Sequence, residues 1–349
     1  MFRRIDRRTV LKGVGSTGLI AASSSLGLLT TACSPPPEQK GLPVTVVSSQ
    51  GTQVLTIQAL MNEKRYFDEI GLAPKILAVA SGTNVVGSLV GGTADVCIFA
   101  GFSQLLAAIE KGADLKILGG ASIKGQQALF TKSPDVQYVK DLEGRAVGTG
   151  AIGAQLHQVV TALLKKKGVD ISKVKFVVIG SSGDVFRAVL AGTVDAGNGQ
   201  ADVLASLDRL GVHMIKDGDY ATELPEYTWQ ASFATTASIR DKREAIVRTL
   251  TAYCKAFRYV QSPGSKDDFV KAYLAAAGGR DSEHSTLEAI SQWNYLQERK
   301  IYAEDLVLSR ERVQYMQELN VELGVQKKIL PYEQLIDASL AEEAVARLS

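Results

Sequence analysis

The chain contains few residues of the kinds that carry covalent or metal chemistry. Its 349 residues include three cysteines and three histidines. Cys97 lies in an apolar run and Cys254 in a predicted helix, so both are expected to fill core rather than pair or bind metal. His213 and His284 have no partner at the spacing of metal ligands. We therefore predict no metal and no cofactor.

Charge of one sign is also lacking. The chain has 39 basic and 37 acidic residues, and the first 32 residues hold five of the basic ones and one acid. The remainder carries 34 basic and 36 acidic residues, which gives no reason to expect nucleic acid as a partner. No nucleophile stands near a base, and no Gly-x-Ser-x-Gly elbow follows residue 32. These absences argue against an enzyme.

Residues 1–32 are predicted to be an export signal. Arg3-Arg4 and Arg7-Arg8 form a positive segment, and no charge follows from Gly13 to Ala32. The run Asp6-Arg7-Arg8-Thr9-Val10-Leu11-Lys12 resembles the twin-arginine export motif, with Val10 at its usual aromatic position. The rival interpretation is a membrane anchor, for which the segment is long enough but weakly apolar.

The end of this signal allows two kinds of processing. Thr30-Thr31-Ala32-Cys33 resembles a lipobox, which would make Cys33 the lipidated residue. Plain cleavage after Ala32 fits as well, because Thr30 and Ala32 satisfy the small-x-small rule. Residues 33–42 are a proline-rich linker in either case, since consecutive prolines favour an extended chain.

A repeated stretch organises the rest of the chain. Gly92-Thr93-Ala94-Asp95 returns one hundred residues later as Gly192-Thr193-Val194-Asp195. In both copies an apolar run, a short amphipathic segment and this turn follow one another, which predicts strand, helix, turn and strand. Alternation of this kind favours parallel α/β units, and one repeat at this distance suits two similar lobes. The two aspartates are expected to cap backbone amides, not to bind ligand.

The order and spacing of further residues carry a family resemblance. The chain resembles the solute-binding components of ATP-driven (ABC) importers, in particular the nitrate, sulfonate, taurine and thiamine-precursor (NMT1/THI5-like) binders. The resemblance runs from about residue 43 to 260 and rests on Phe67-x-x-x-Gly71-Leu72, Gly92-x-x-Asp95, Gly112-x-x-Leu115-Lys116, Val139-x-Asp141-Leu142-x-Gly144-Arg145, Gly168 and Gly192-x-Val194-Asp195-Ala196.

The resemblance implies an α/β, two-lobed periplasmic-binding-protein fold of type II, a Venus flytrap with C-terminal helices. Lobe 1 would comprise residues 43–125 and 228–349, and lobe 2 residues 126–227. Five helices are expected at the C-terminal end, starting near Ile239, Lys266, Ser282, Ser309 and Glu333. The protein would be a periplasmic monomer, tethered to the membrane if Cys33 is lipidated, and would deliver solute to an inner-membrane permease.

The ligand is expected beyond the carboxyl ends of the strands, where clefts of open α/β sheets lie. Several predicted residues are helix starts, whose free N–H groups attract anions. His157 and Trp229 are added because the first lies one turn into such a helix and the second on the return crossover. The predicted ligand-binding residues are Ser49, Gln50, Gly51, Ser81, Gly82, Thr83, Gly101, Phe102, Ser103, Gly150, Ala151, Gly153, Gln155, His157, Ser181, Asn198, Gly199, Gln200 and Trp229.

One preferred function and two groups of alternatives stay open at this stage. Loops rich in amides with little net charge favour capture of a small organic anion, a carboxylate or sulfonate, for an importer. A thiamine pyrimidine precursor or another neutral heterocycle is the first alternative. A periplasmic sensor without its own permease, or an enzyme similar to pyrimidine synthases, is the second. Adjacent permease and ATPase genes would favour the importer over the sensor.

Overall fold

The computed structural model describes residues 41–49, 51–79, 82–278 and 283–348. Within these residues the strands are β1 (Leu42–Ser49), β2 (Leu72–Val79), β3 (Val96–Gly101), β4 (Lys116–Gly120), β5 (Gln127–Thr131), β6 (Ala146–Thr149), β7 (Lys175–Val178), β8 (Ala196–Gln200), β9 (His213–Asp219) and β10 (Gln230–Ala234). The helices are α1 (Thr52–Glu63), α2 (Tyr66–Glu69), α3 (Gly82–Val90), α4 (Phe102–Glu110), α5 (Gln155–Lys166), α6 (Ser182–Leu190), α7 (Leu207–Leu210), α8 (Tyr220–Glu223), α9 (Thr236–Val260), α10 (Lys266–Ala276), α11 (Glu283–Arg299), α12 (Arg310–Glu322), α13 (Tyr332–Leu335) and α14 (Ser339–Ala346).

The strands form two mixed sheets of the same design, one in each lobe. The first has the order β2-β1-β3-β10-β4 and the second the order β7-β6-β8-β5-β9. In each sheet the first three strands run parallel, while the fourth, β10 or β5, is antiparallel to both neighbours. The predicted α/β class is therefore confirmed, and each parallel unit is completed by one antiparallel strand.

The repeated turn has the same structure in both lobes. Gly92 and Gly192 adopt φ values of 69° and 71°, which a residue with a Cβ rarely tolerates. Asp95 accepts a hydrogen bond from the Thr45 amide at 2.7 Å, and Asp195 accepts one from the Ala146 amide at 2.8 Å. Each carboxylate thus joins the start of β3 or β8 to the adjacent parallel strand. The expected structural role of the two aspartates is confirmed.

Two segments connect the sheets and run side by side. The chain leaves the first sheet after Gly120, enters the second at Gln127, and returns to the first through β10. The carbonyl oxygen of Ser122 accepts hydrogen bonds from the amides of Trp229 (3.0 Å) and Gln230 (2.9 Å). The Ser122 hydroxyl also donates to Gln230 Oε1 at 3.2 Å. Paired backbone of this kind holds the connection between the lobes in one register.

The first lobe departs from simple helix signals at two places. The helical segment after β1 is broken at Arg65, which has a φ of 55° and separates α1 from α2. α4 begins at Phe102 with Gly101 as its N-cap, although the next residue, Ser103, is of a type that often caps helices. Ser103 is buried and donates its hydroxyl to Asn320 of α12. A partner more than two hundred residues away could not be read from local sequence.

The C-terminal helices cover the first sheet and also reach the second lobe. α9 packs on α14 and on the strands of the first sheet, and α10 packs on α1. α11 contacts residues 201–206, which follow β8 of the second sheet. α12 touches both α4 and α5. The expected packing on lobe 1 is therefore only part of the arrangement, because α11 and α12 contact both lobes.

Candidate ligand-binding cleft

A cavity of about 630 Å³ lies where the strand ends of the two sheets meet. One wall contains Gly51, Gly82 and Gly101, which follow or end β1, β2 and β3. The other contains Gly150, Gly180 to Ser182 and Gln200, which follow or end β6, β7 and β8. This is the edge at which open α/β sheets bind ligands. The volume is that of a pocket for a small molecule of moderate size.

Helix starts surround this cavity, and those of α1, α4 and α5 have no side-chain cap; at α4 the Phe102 amide donates to the Trp229 carbonyl oxygen at 3.2 Å. α1 and α5 have Gly51 and Ala154 as N-caps, neither with a side-chain cap hydrogen bond, and neither helix has an acidic residue in its first turn. α6 differs, because Ser181 and Asp184 form a capping box there. Amides at the starts of α1 and α5 are therefore available to a ligand, one helix from each lobe.

Glutamines dominate the polar lining. Gln155 Nε2 donates to the Trp229 carbonyl oxygen at 2.8 Å, and Gln292 Nε2 donates to Gln126 Oε1 at 2.9 Å. Gln53 Nε2 donates to Ser122 Oγ and Tyr302 Oη. Of the glutamines in the described residues, eight line the cavity: Gln53, Gln104, Gln126, Gln127, Gln155, Gln200, Gln230 and Gln292.

Asp202 is the one residue with a carboxylate side chain among the described lining residues. It follows β8 and is partly buried, and Tyr273 Oη of α10 donates to its Oδ2 at 3.1 Å. Burial raises the pKa of Asp202 above its usual range; the Tyr273 hydrogen bond opposes this, and the nearby charge of Glu288 adds to it. Within the part of the chain that the structure describes, no lysine, arginine or histidine lines the cavity.

Nine of the predicted ligand-binding residues line the cavity: Gly51, Gly82, Gly101, Gly150, Ala151, Gln155, Ser181, Gln200 and Trp229. Trp229 is 7% exposed and packs against Tyr227, with ring centroids 6.0 Å apart, so it combines a core position with one face on the cleft. Gln50 and Ser81 lie outside the described residues, and the side chain of Ser49 is not described either.

Other predicted residues lie away from the cavity. Phe102 is completely buried against Phe233, with ring centroids 6.2 Å apart. Asn198 is buried beside Tyr220, whose hydroxyl donates to Asn198 Oδ1 at 3.1 Å. Gly199 packs so closely on Phe130 that an added Cβ would stand 2.7 Å from the ring. Thr83 is exposed outside the lining, and Ser103 is buried in the contact with α12.

Gly153 and His157 form a turn rather than a binding surface. Gly153 has a φ of 79°, which favours glycine, and its amide donates to His157 Nδ1 at 3.2 Å. The His157 ring packs edge-on against Phe176, with centroids 4.8 Å apart, and burial lowers the pKa of His157. A neutral imidazole that accepts a backbone N–H explains this residue without a ligand.

Sequence reasoning missed the part of the cleft supplied by the C-terminal helices. Phe269, Tyr273, Gln292 and Leu296 of α10 and α11 line the cavity, and so does Tyr302 after α11. Helices starting near Lys266 and Ser282 were expected, but the sequence could not indicate which of their polar positions would face a cleft built by residues far away in the chain. Asp202 could have been predicted to line the cleft, because it lies two residues after Gln200, which was predicted there.

The described cysteines lie outside the cleft. Cys97 is buried in the first sheet, and burial raises the pKa of its thiol far above the ordinary value. Burial also raises the pKa of Cys254 to about 11. Neither residue lines the cavity. Within the described ranges no group of histidine, cysteine and acidic residues is arranged to hold a metal, and no helix has the length and apolarity needed to cross a membrane.

Two lobes of matching topology with a cavity at their facing strand ends define the two-lobed fold of periplasmic binding proteins. The model of the family described as NMT1/THI5 like matches residues 54–264, which is more than half of the chain. The protein therefore belongs to the NMT1/THI5-like family, as the sequence motifs indicated. A search of curated protein sequences finds no match.

Solved structures share the fold at low sequence identity. The periplasmic aliphatic sulphonate binding protein SsuA from Escherichia coli is 17% identical with a TM-score of 0.67, over 84% of this chain and 92% of that one. The alkanesulfonate-binding protein SsuA from Xanthomonas axonopodis, bound to MOPS, is 15% identical with a TM-score of 0.62, over 86% and 98%. The desulfurization enzyme DSZB is 15% identical with a TM-score of 0.60, over 88% and 100%. At such identities the likeness concerns the fold.

Proposed function

We propose that this protein is the extracytoplasmic solute-binding component of an ABC importer. In this proposal it captures a small organic anion, a carboxylate or sulfonate, in the cleft and delivers it to a membrane permease. The observation that carries the proposal is the pair of uncapped helix starts, α1 from lobe 1 and α5 from lobe 2, which open into one cavity. An anion between them would draw the lobes together.

The attraction between an anion and these two helix starts can account for only part of the ligand affinity. Each helix start stabilises an anion by roughly 0.3–1 kcal/mol when exposed and up to about 2 kcal/mol when partly buried. Two of them favour an acid over its amide by about tenfold or more, because about 1.4 kcal/mol corresponds to one decade in affinity. Further affinity must come from apolar contact, for which Trp229, Phe269 and Leu296 are available in the lining.

The sulfonate-binding structures support the importer role through their fold. The desulfurization enzyme has the same fold, so catalysis must also be considered. Two features favour binding over catalysis at this cavity. Neither Cys97 nor Cys254 lines it, and the carboxylate among the described lining residues, Asp202, has no histidine, lysine or arginine in that lining with which to share acid–base chemistry. We therefore propose that the protein binds its ligand without converting it.

A thermal-shift panel tests the anion proposal by pairing each organic acid with its amide. A ligand at about one hundred times its Kd stabilises the fold by roughly 2.7 kcal/mol, which raises Tm by a few degrees. We expect acids to raise Tm more than their amides. If amides or neutral pyrimidines raise Tm and no acid does, the neutral heterocycle replaces the anion.

Ala154→Asp locates the anion at α5. Its N-cap backbone, with φ −79° and ψ 168°, accepts an aspartate that would cap the helix and repel a bound anion. Ala154→Asn is the matched control, since it caps without charge. Acid binding should weaken about tenfold more in the aspartate variant than in the asparagine variant. Equal binding in the two variants would remove α5 from the site. The importer role is then tested by comparing uptake of the labelled acid between cells that have the gene for this protein and cells that lack it.

A further inference from the structure

One face of α11 carries a line of polar contacts to lobe 2. Ser291 Oγ donates to the Ala201 carbonyl oxygen at 3.2 Å, and His284 Nε2 lies 2.9 Å from Arg209 Nη2 of α7. Positions i, i+7, i+11 and i+15 share one face of a helix and span about 22 Å of its length. At this spacing α11 has a polar stripe of four residues that all contact lobe 2: His284, Ser291, Tyr295 and Arg299.

Two residues of the polar stripe hold a buried carboxylate of lobe 2. Asp219 stands at the end of β9 and is 5% exposed. Its Oδ1 accepts from Tyr295 Oη at 2.6 Å and from the Ala221 amide at 3.1 Å. Its Oδ2 accepts from Arg299 Nε at 2.7 Å and from Thr222 Oγ1 at 2.9 Å. Each oxygen thus has one partner in α11 and one in lobe 2, and loss of the α11 partners would leave a buried charge without its counter-ion.

The opposite face of α11 is bound to lobe 1 by apolar packing. Ala289 and Leu296 are buried in the same apolar cluster as Phe257 of α9. Gln297 Nε2 adds a hydrogen bond to the Val260 carbonyl oxygen at 2.8 Å, also in α9. Separation of α11 from lobe 1 would expose this apolar surface to water, which is unfavourable.

Lobe 2 offers α11 much less apolar surface. Among the described residues, lobe 2 contributes Ala201 and Ala221 to that cluster, and Leu204 packs against it partly buried. A gap of about 320 Å³ lies between α11 and lobe 2, and Asp219 lines it. Polar contacts exchange for water at a smaller net cost than apolar ones, so the contact of α11 with lobe 2 separates more readily than its contact with lobe 1.

We propose that α11 is a strap: it stays on lobe 1 and fastens lobe 2 through the polar stripe before any ligand is bound. When the lobes part, the stripe exchanges its partners for water, and when they close it forms again. The apparent Kd equals the intrinsic Kd divided by the fraction of molecules in the binding-competent arrangement. Closure favoured by the strap therefore raises the affinity for any solute, whatever its charge.

The test measures the distance between the lobes by double electron–electron resonance without ligand. Spin labels are attached at Thr93→Cys and Thr193→Cys, which are exposed and equivalent positions of the repeated turn in the two lobes. The background carries Cys33→Ala, and the buried Cys97 and Cys254 are shielded from the label. Lobe separation is measured with no ligand present, so the result is independent of the proposed function.

Three variants are compared with the unmodified labelled protein. Tyr295→Phe combined with Arg299→Met removes both α11 partners of Asp219 and keeps most of the side-chain volume. Gln297→Met is the matched control, because it removes a hydrogen bond of the same helix to lobe 1. Tyr295→Phe alone is the milder variant, and it decides the outcome if the double variant does not fold.

We expect one narrow distance distribution in the unmodified protein and in Gln297→Met. The double variant should show a second, displaced distance in at least about a tenth of the molecules, because water reaches Asp219 when the lobes part. Tyr295→Phe alone should show a smaller share of the same distance. Identical distributions in all four proteins would overturn the strap. A second distance of equal share in the unmodified protein or in Gln297→Met would overturn it as well.

Discussion

Asp95 and Asp195 lie one hundred residues apart and accept the same backbone hydrogen bond in the two lobes, from Thr45 and from Ala146. The reverse bonds match as well: the Asp95 amide donates to the Thr45 carbonyl at 2.9 Å and the Asp195 amide donates to the Ala146 carbonyl at 2.8 Å. The two aspartates directly precede β3 and β8, and neither lines the cavity, so the correspondence concerns the scaffold and not the ligand.

The first prediction is that Asp95→Ala and Asp195→Ala each lower the free energy of unfolding by about 1–3 kcal/mol, because a strand amide loses its acceptor. Asp95→Asn and Asp195→Asn keep an acceptor oxygen and should lose less. Urea denaturation measures the difference. Loss of ligand binding at unchanged stability would contradict the scaffold role.

The second prediction concerns Asn320, which is completely buried in α12 between the lobes. Its Oδ1 accepts from Ser103 Oγ of lobe 1 and, at 3.0 Å, from Gln158 Nε2 of lobe 2, while its Nδ2 donates to the Ser103 carbonyl at 3.0 Å. Asn320→Ala should cost about 2–4 kcal/mol of unfolding free energy, because several buried groups lose their partner together.

Gln314→Ala is the matched control for Asn320, since Gln314 is an exposed residue of the same helix. It should change stability by less than about 0.5 kcal/mol. Thermal unfolding of both variants without ligand gives the comparison. Equal stability of the two variants would show that the buried network contributes nothing.

The third prediction is a pH dependence caused by Asp202. Burial raises the pKa of Asp202 above its ordinary value of 3.8, and the charge of Glu288 raises it further. An acid whose pKa is raised by folding stabilises the fold below its unfolded pKa, and this contribution is lost as pH rises through the folded pKa. Without ligand, Asp202→Asn should therefore gain stability relative to the unmodified protein between pH 4 and pH 8.

The measurement is the difference in urea unfolding free energy between these two proteins across that range. Using the difference removes the contributions of other acids, such as Glu244, whose hydrogen bonds to Arg347 and Arg248 lower its pKa to about 2. A difference that shrinks as pH rises would contradict the expected sign.

The fourth prediction concerns residues 1–33, which lie outside the described residues. Changing Arg7 and Arg8 to lysine should leave uncleaved precursor in the cytoplasm, and normal processing would reject the twin-arginine assignment. Cys33→Ala should release a soluble mature form. Continued association with the membrane fraction after carbonate washing would count against lipidation.

The sequence predicted the elements whose signals are local. Gly192 adopts a positive φ, and Asp195 accepts a hydrogen bond from a nearby amide. Because both roles require particular residue types within one short turn, the turn can be recognised in the sequence. Val159, Val160, Leu163 and Leu164 recur at helical spacing in the sequence, and all four are completely buried in α5. The positions after β1, β2, β3, β6 and β7 followed from topology alone, because strand ends of parallel units share one edge.

The residues that could not be predicted depend on partners far away in the chain. Phe102 and Asn198 stand at the expected edge, yet their side chains turn into the lobes because Phe233 and Tyr220 offer packing and a hydrogen bond there. Tyr273 and Gln292 reach the cleft from helices that look like ordinary amphipathic segments. One sequence does not indicate which polar position of such a helix meets a cavity.

The place of β10 in the first sheet constrains how the chain folds. β4 pairs in its sheet only with β10 among the described strands, and β10 follows all five strands of the second sheet in the chain. During synthesis lobe 2 therefore has all of its strands before lobe 1 can close its own sheet. A chain ending before Gln230 would leave β3 with an open edge and β4 without a neighbour, which is the exposed edge that promotes aggregation. Lobe 2 is thus expected to assemble first, and lobe 1 to be completed last.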